Sequence, residues 1–294
     1  MQTQETITRN NPAPATDQSF DYSEAPIKYA EAEGIRYAYR SLGASSDTPI
    51  VCLQHFMGTL DNWDPAIING LAKEREVITF DNSGIGFSGG ETPDNVKDMS
   101  LDALKIMNAL GINKCDLLGF SLGGFIAQTL ADLQPELFRK IILVGTAPQS
   151  AKALRTFPQL VEKALAMDPV ERYLFIFSSQ SEKSRGKIRA TLERLSARKQ
   201  DRDQEISKAA IQAQVKALTQ WSEPATINLS GIPHPVLIVQ GSDDEVMHSA
   251  SSLELYAQIP NSVLTFYADS AHGSFFQYPE LFVNGANSFL NHFE

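Results

Sequence analysis

Cysteine is scarce, with two in 294 residues, so there is no disulfide framework and no cysteine-based metal cluster to expect. Cys52 and Cys115 each sit in an apolar, strand-like run and read as reduced core thiols. Long apolar stretches are missing too, and none could span a bilayer. Basic charge is in deficit: 25 Lys and Arg stand against 35 Asp and Glu, a formal net charge of −10. Neither nucleic acid nor an anionic membrane surface attracts such a chain, so neither is expected as a partner. Residues 1–24, which include Asn10-Asn11-Pro12-Ala13-Pro14, lack the apolar segment of a secretory signal. They read as a flexible or surface-wrapping tail, and the protein as cytoplasmic.

What is present is an ordinary globular composition, 43% apolar and 20% charged, in a length that suits one large domain or two modest ones. Residues 27–32 and 35–39, joined at Glu33-Gly34, read as an antiparallel hairpin. Buried-type strands follow at 50–53, 77–80, 115–119 and 141–145, with a helix face of Leu101, Leu104, Met107 and Leu110 between the second and third. The alternation then stops. From about 149 to 230 the sequence is charged and helix-prone, with helices expected in 188–198 and 205–221. Strands resume at 235–239 and 263–266, and a last helix is expected from about 279 to 292. The pattern predicts an α/β fold: a mostly parallel sheet of about eight strands flanked by helices. Some eighty residues are too many for a connector, so 149–230 is expected to form a helical cap between core segments 25–148 and 231–294.

Two places fit a Gly-x-Ser-x-Gly pattern. Gly86-Phe87-Ser88-Gly89-Gly90 runs on into Glu91-Thr92-Pro93, a loop sequence, and the overlapping Gly84-Ile85-Gly86-Phe87-Ser88-Gly89 fails as a dinucleotide fingerprint for the same reason. Gly119-Phe120-Ser121-Leu122-Gly123 instead follows a strand and precedes Phe125, Ile126, Leu130 and Leu133 at helical spacing. A sharp strand-to-helix turn lifts a serine hydroxyl out of the sheet, and Ser121 is the candidate nucleophile.

A serine needs a base to take its proton and an acid to orient that base. Of five histidines, His272 follows the last strand, at the sheet edge where Ser121 lies. His55 also ends a strand but sits in a loop suited to another role, His248 could reach the rim, His234 precedes a strand at the opposite edge, and His292 lies in the last helix. His272 is the expected base. Gly241-Ser242-Asp243-Asp244 follows a strand at the same edge, and its two adjacent carboxylates should point apart. Position alone does not choose between them. Oxyanion donors are expected from the backbone of Leu122 and from the loop Gln54-His55-Phe56-Met57-Gly58.

From about residue 27 to the end the chain resembles the α/β-hydrolase superfamily. The match rests on Gly119-Phe120-Ser121-Leu122-Gly123-Gly124, Gly241-Ser242-Asp243-Asp244, His272-Gly273 and Asp81-Asn82-Ser83-Gly84-Ile85-Gly86-Phe87-Ser88. The resemblance implies the chain order Ser121, Asp244, His272, and selects Asp244 because the family sets its acid three positions after the loop glycine. It also makes the glycines around Ser88 a structural turn. The family's oxyanion loop commonly reads His-Gly-x, whereas here Phe56 follows His55, so the donor is Phe56 or Met57. Among its members the chain is similar to small serine esterases and to cofactor-free haloperoxidase-like hydrolases with a helical cap.

Serine in place of aspartate at the turn favours acyl transfer over displacement at saturated carbon. The expected activity is hydrolysis of a small ester, thioester or lactone, with no cofactor and no metal. Perhydrolysis, carbon–carbon bond hydrolysis, a lyase reaction, or ligand reception without turnover remain open on the same residues. Met57, Phe120, Phe175, Phe177 and Trp221 are the candidates for an apolar substrate pocket, although each also suits plain core.

Overall fold

The computed structural model describes residues 21–293. Eight strands form one sheet: β1 (Lys28–Ala32), β2 (Ile35–Leu42), β3 (Ile50–Leu53), β4 (Val77–Phe80), β5 (Cys115–Phe120), β6 (Phe138–Val144), β7 (Val236–Gly241) and β8 (Ser262–Tyr267). Their order across the sheet is β1-β2-β4-β3-β5-β6-β7-β8. β1 and β2 pair antiparallel, β2 pairs antiparallel with β4, and every other pairing is parallel. The six parallel strands therefore end at one edge, and all loops that follow them gather there.

Hydrophobic runs explain the middle of the sheet. β3, β4, β5 and β7 are buried along their whole length, which requires cover on both faces. One face carries α2 (Val96–Ala109), α3 (Leu122–Leu133) and α8 (Ser249–Gln258). The other carries α1 (Pro65–Ala72), α9 (Ser274–Gln277) and α10 (Pro279–His292). Asp64 starts α1 by accepting from the Ala66 amide, with Pro65 at the first helical position. Asn95 caps α2 in the same way.

Between β6 and β7 lie four helices: α4 (Phe157–Leu165), α5 (Pro169–Phe177), α6 (Glu182–Leu195) and α7 (Lys208–Gln220). The latter two run through the two segments singled out as helices; the former two lie in the rest of the stretch expected to be helical, where no bounds were given. This insertion is fastened to the core by polar contacts. Arg194 grips Asp64 at 2.8 and 2.6 Å. The backbone amides of Asp61 and Asp203 each donate to the other's carboxylate, at 2.7 and 2.9 Å. Ser179 and Ser181 donate to Asp269 at 2.6 and 2.8 Å.

The expected N-terminal tail requires a correction at its end. Residues 1–20 lie outside the described residues, but 21–24 are packed against the core and not free. Tyr22 is buried, with its hydroxyl bonded to the Leu60 carbonyl at 2.9 Å and to Thr79 at 2.8 Å. Arg198 of the insertion donates to the carbonyls of Ser23 and Ala25. Among the described residues, no helix is long and apolar enough to cross a membrane.

Candidate active site

Ser121 occupies the turn between β5 and α3 with φ 55° and ψ −114°. That left-handed backbone costs a non-glycine residue on the order of 1–3 kcal/mol and persists only where the surroundings enforce it. Here they do. The Ser121 amide donates to Val144, and its carbonyl accepts from Gly124 and from Thr146 Oγ1, all at 2.9 Å. Tight packing explains the flanking glycines: a Cβ on Gly123 would lie 2.0 Å from the Leu53 carbonyl oxygen, and one on Gly119 would lie 2.5 Å from that of Gly123.

His272 Nδ1 donates to Asp244 Oδ2 at 2.9 Å, with both side chains buried. Asp244 is itself held: its other oxygen accepts from the amides of Val246 and Met247 at 2.9 Å, and Gln240 donates to Oδ2 at 3.0 Å. Asp243 points the other way, exposed, and accepts from Ser242 Oγ. The histidine ring lies against Phe120 at 5.1 Å and stacks on Phe177 at 5.9 Å. Its amide neighbour Gly273 donates to the Phe177 carbonyl, so α5 helps to seat the loop. An acceptor at Nδ1 leaves Nε2 as the free ring nitrogen. Ser121 and His272 line one cavity without a hydrogen bond between them; such contacts tighten when substrate binds.

The loop after β3 is stitched to itself. The His55 amide donates to Gln54 Oε1, Gln54 Nε2 donates to the Thr59 carbonyl, and Gly58 donates to the carbonyl of His55. Met57 sits at φ 57°, and its amide donates to Gln214 Oε1 of α7 at 2.8 Å. Among the described residues the Phe56 amide has no acceptor, and neither does that of Leu122 at the first turn of α3. His55 donates from Nδ1 to the Phe56 carbonyl at 2.7 Å. Burial, aided by nearby His272, pushes its pKa down to about 4, so the ring is neutral at physiological pH.

These residues open into a cavity of about 250 Å³. Its floor is His55, Phe56, Met57, Ser121 and His272; its roof comes from α4 and α5, with Phe157, Leu160, Val161, Tyr173, Ile176 and Phe177. The wall is largely apolar. The Tyr173 hydroxyl is buried, without a partner among the described residues, and desolvation pushes that phenol's pKa up. Among the described residues, no three His, Cys, Asp or Glu side chains gather as a metal site.

A family model for the alpha/beta hydrolase fold matches residues 48–279. The chain belongs to this family. It is an α/β-hydrolase, and several of its relatives are named as hydrolases. An alpha/beta hydrolase fold protein from Chitinophaga pinensis superposes with a TM-score of 0.91 at 55% identity, over 92% of this chain and 99% of that one. A putative carbamate hydrolase, RutD, of Agrobacterium fabrum (strain C58) is 25% identical over 83% of this chain and 94% of its own. The 2-hydroxymuconate semialdehyde hydrolase of Pseudomonas sp. (strain CF600) is 27% identical over 78% and 81%.

Within this α/β-hydrolase, Met57 and Phe177 line the cavity, but three of the candidate pocket aromatics do not. Phe120 is fully buried beneath the site, its ring packed on His272, Phe275 and Phe276. Phe175 faces the other side of α5, under the Lys163 ammonium. Trp221 stacks on Phe125 at 4.6 Å and donates to the Ala147 carbonyl, as part of the core behind α3. A short helix shows two or three faces, and an aromatic's presence in it does not say which face it takes. Ser88 is buried, donating to the Asp81 carbonyl at 2.7 Å and accepting from the Ala38 amide. Gln214, Tyr173 and the α4 residues were missed. Of these only α4 carried a signal, since Phe157, Val161 and Ala164 recur at helical spacing; a glutamine on a helix gives none.

Proposed function

We propose that this chain hydrolyses a small carboxylic ester, thioester or lactone through an acyl-enzyme on Ser121. The observation that carries this reading is the Asp244–His272 hydrogen bond, which directs the basic ring nitrogen toward the cavity that Ser121 lines. His272 Nε2 takes the serine proton as Oγ attacks the acyl carbon, and Asp244 holds the required tautomer and balances the imidazolium. The oxyanion forms against the amides of Phe56 and Leu122. Phe56 is favoured over Met57 because the latter's amide is already engaged by Gln214. Each donor is worth about 3 kcal/mol in the transition state. Collapse of the tetrahedral adduct expels the leaving group with the proton from His272; water then repeats the attack with the histidine again as base. Residues 149–230 act as the cap, and their apolar helices favour a compact apolar acyl or aryl group.

Replacing Ser121 with alanine is expected to lower kcat on activated esters by roughly 10⁴-fold or more with an unchanged fold. An organophosphonate should label Ser121; full activity in the alanine variant, or a label at Ser88, would reject the reading. The relative named as a 2-hydroxymuconate semialdehyde hydrolase supports a second one, carbon–carbon bond hydrolysis at the same residues. A panel of esters of graded acyl length, lactones, a carbamate and a vinylogous diketone, each run with and without hydrogen peroxide, distinguishes these activities.

A further inference from the structure

One contact joins the inserted helices to the backbone of the loop that offers the second amide donor. Gln214, on α7, is fully buried, and its Oε1 accepts from the Met57 amide at 2.8 Å across 157 positions of sequence. The orientation of this amide follows from chemistry, because only oxygen can accept from a backbone N–H. Its Nε2 is then left buried without a partner. Glutamine satisfies the Met57 amide but strands a donor of its own, a cost that simple packing of α7 would not call for. Met57 is the other half of the observation. It holds a left-handed φ of 57° without being glycine, so an external restraint must keep it there. The turn places Phe56, one residue earlier, with its amide unpartnered among the described residues and its side chain on the cavity wall.

We propose that Gln214 is a positioning residue: by clamping the Met57 amide it holds the turn in its strained form and aims the Phe56 amide at the reacting oxygen. It also removes the competing donor, since a Met57 amide bound to Gln214 cannot turn toward the substrate. Completion of the oxyanion site thereby depends on the inserted helix as well as on the sheet core. This inference rests on the reading of Phe56 as an oxyanion donor. Such a residue should act on the transition state and leave ground-state binding alone.

The test uses Gln214→Leu in the full-length protein, with p-nitrophenyl butyrate as substrate. The expected result is a kcat about 10–100-fold lower with KM within about twofold, the size of a misplaced oxyanion donor. The Kd for butylboronic acid, which forms a tetrahedral adduct on serine, should rise by the same factor. Gln214→Glu, which keeps an acceptor oxygen, should restore most of the rate. In a Met57→Gly background, where the left-handed turn is unstrained, the leucine substitution should cost less. An unchanged kcat, a loss carried by KM alone, or an equal loss in both backgrounds overturns the proposal. If the leucine variant does not fold, Gln214→Asn, which withdraws the oxygen by one methylene, carries the same expectation and the same refutation. Loss of activity in Ser121→Ala beside normal kcat in Gln214→Leu would sink this inference alone; activity retained in Ser121→Ala would sink the hydrolytic reading beneath it.

Discussion

Asp243 and Asp244 are chemically identical neighbours, and their surroundings separate them. Asp244 is buried, and two backbone amides, Gln240 and the His272 imidazole bond to its oxygens. Asp243 faces solvent beside Ser242. Replacing Asp244 with asparagine puts an amide where the imidazole N–H must be accepted, which favours the wrong tautomer. The expected loss in kcat is about 10⁴-fold, whereas Asp243→Asn should stay within about twofold, as most exposed substitutions do. Steady-state kinetics on one activated ester decides this, and the reverse ranking would reassign the acid. The sequence placed the serine, the histidine and the pair of carboxylates at one sheet edge, because strand ends and glycine turns are local features. It could not rank the two carboxylates without the family pattern, since the ranking is made by the amides of Val246 and Met247 and by a ring twenty-eight residues away. Nor could it see Gln214, whose partner is a backbone amide in a distant loop.

Elements meet most tightly where α3 leaves β5. The helix begins so close to β3 that Gly123 touches the Leu53 carbonyl, and a methyl group there would sit at 2.0 Å from its oxygen. The obstacle is backbone on both sides, which cannot swing away like a side chain. Gly123→Ala is therefore expected to destabilise the protein by about 3 kcal/mol or more, read as a lower denaturant midpoint at constant m-value. A variant of native stability would mean that α3 can shift, and that Ser121 is held less firmly than its contacts indicate. The strands were legible because fully buried runs such as 50–53 and 77–80 have few other uses. Helices were legible in proportion to their amphipathicity. α2 shows an apolar stripe, but α8 leaves Leu253 and Tyr256 about half exposed, and α5 is apolar nearly all round, so periodicity gave no boundary for either.

Across the whole molecule, acid stability depends on groups that the fold buries. His55 is 8% exposed and its pKa falls from the ordinary 6.5 to about 4. Between those values the unfolded chain binds a proton that the native state refuses, so this group makes stability rise with pH. Its contribution is complete above pH 6.5 and lost progressively down to pH 4, about 3 kcal/mol in all. Asp81 works in the opposite sense. Burial and the neighbouring Asp203 push its carboxyl well above the usual range, so that the native state holds a proton there which the unfolded chain releases. The net slope therefore mixes both, and the difference between native protein and a His55→Gln variant isolates the histidine. That difference should grow in the variant's favour as pH falls from 6.5 to 4 in urea titrations; a constant difference would show that His55 stays accessible to protons. The same burial ties Ser23 and Ala25, the insertion and the core into one network, through Arg198 and Asp61.

By itself the sequence determined the α/β alternation, the serine turn and the place of His272 after the last strand, because each is written in spacing along a few neighbouring residues. Only tertiary structure decided which carboxylate faces the histidine, which aromatics reach the cavity, and which loop amide stays free. Those outcomes depend on contacts between segments far apart in sequence: α5 on the His272 loop, His272 on Asp244, and Gln214 on Met57. A helix or loop carries its own propensity in its residues, but the face it turns inward is chosen by what it packs against.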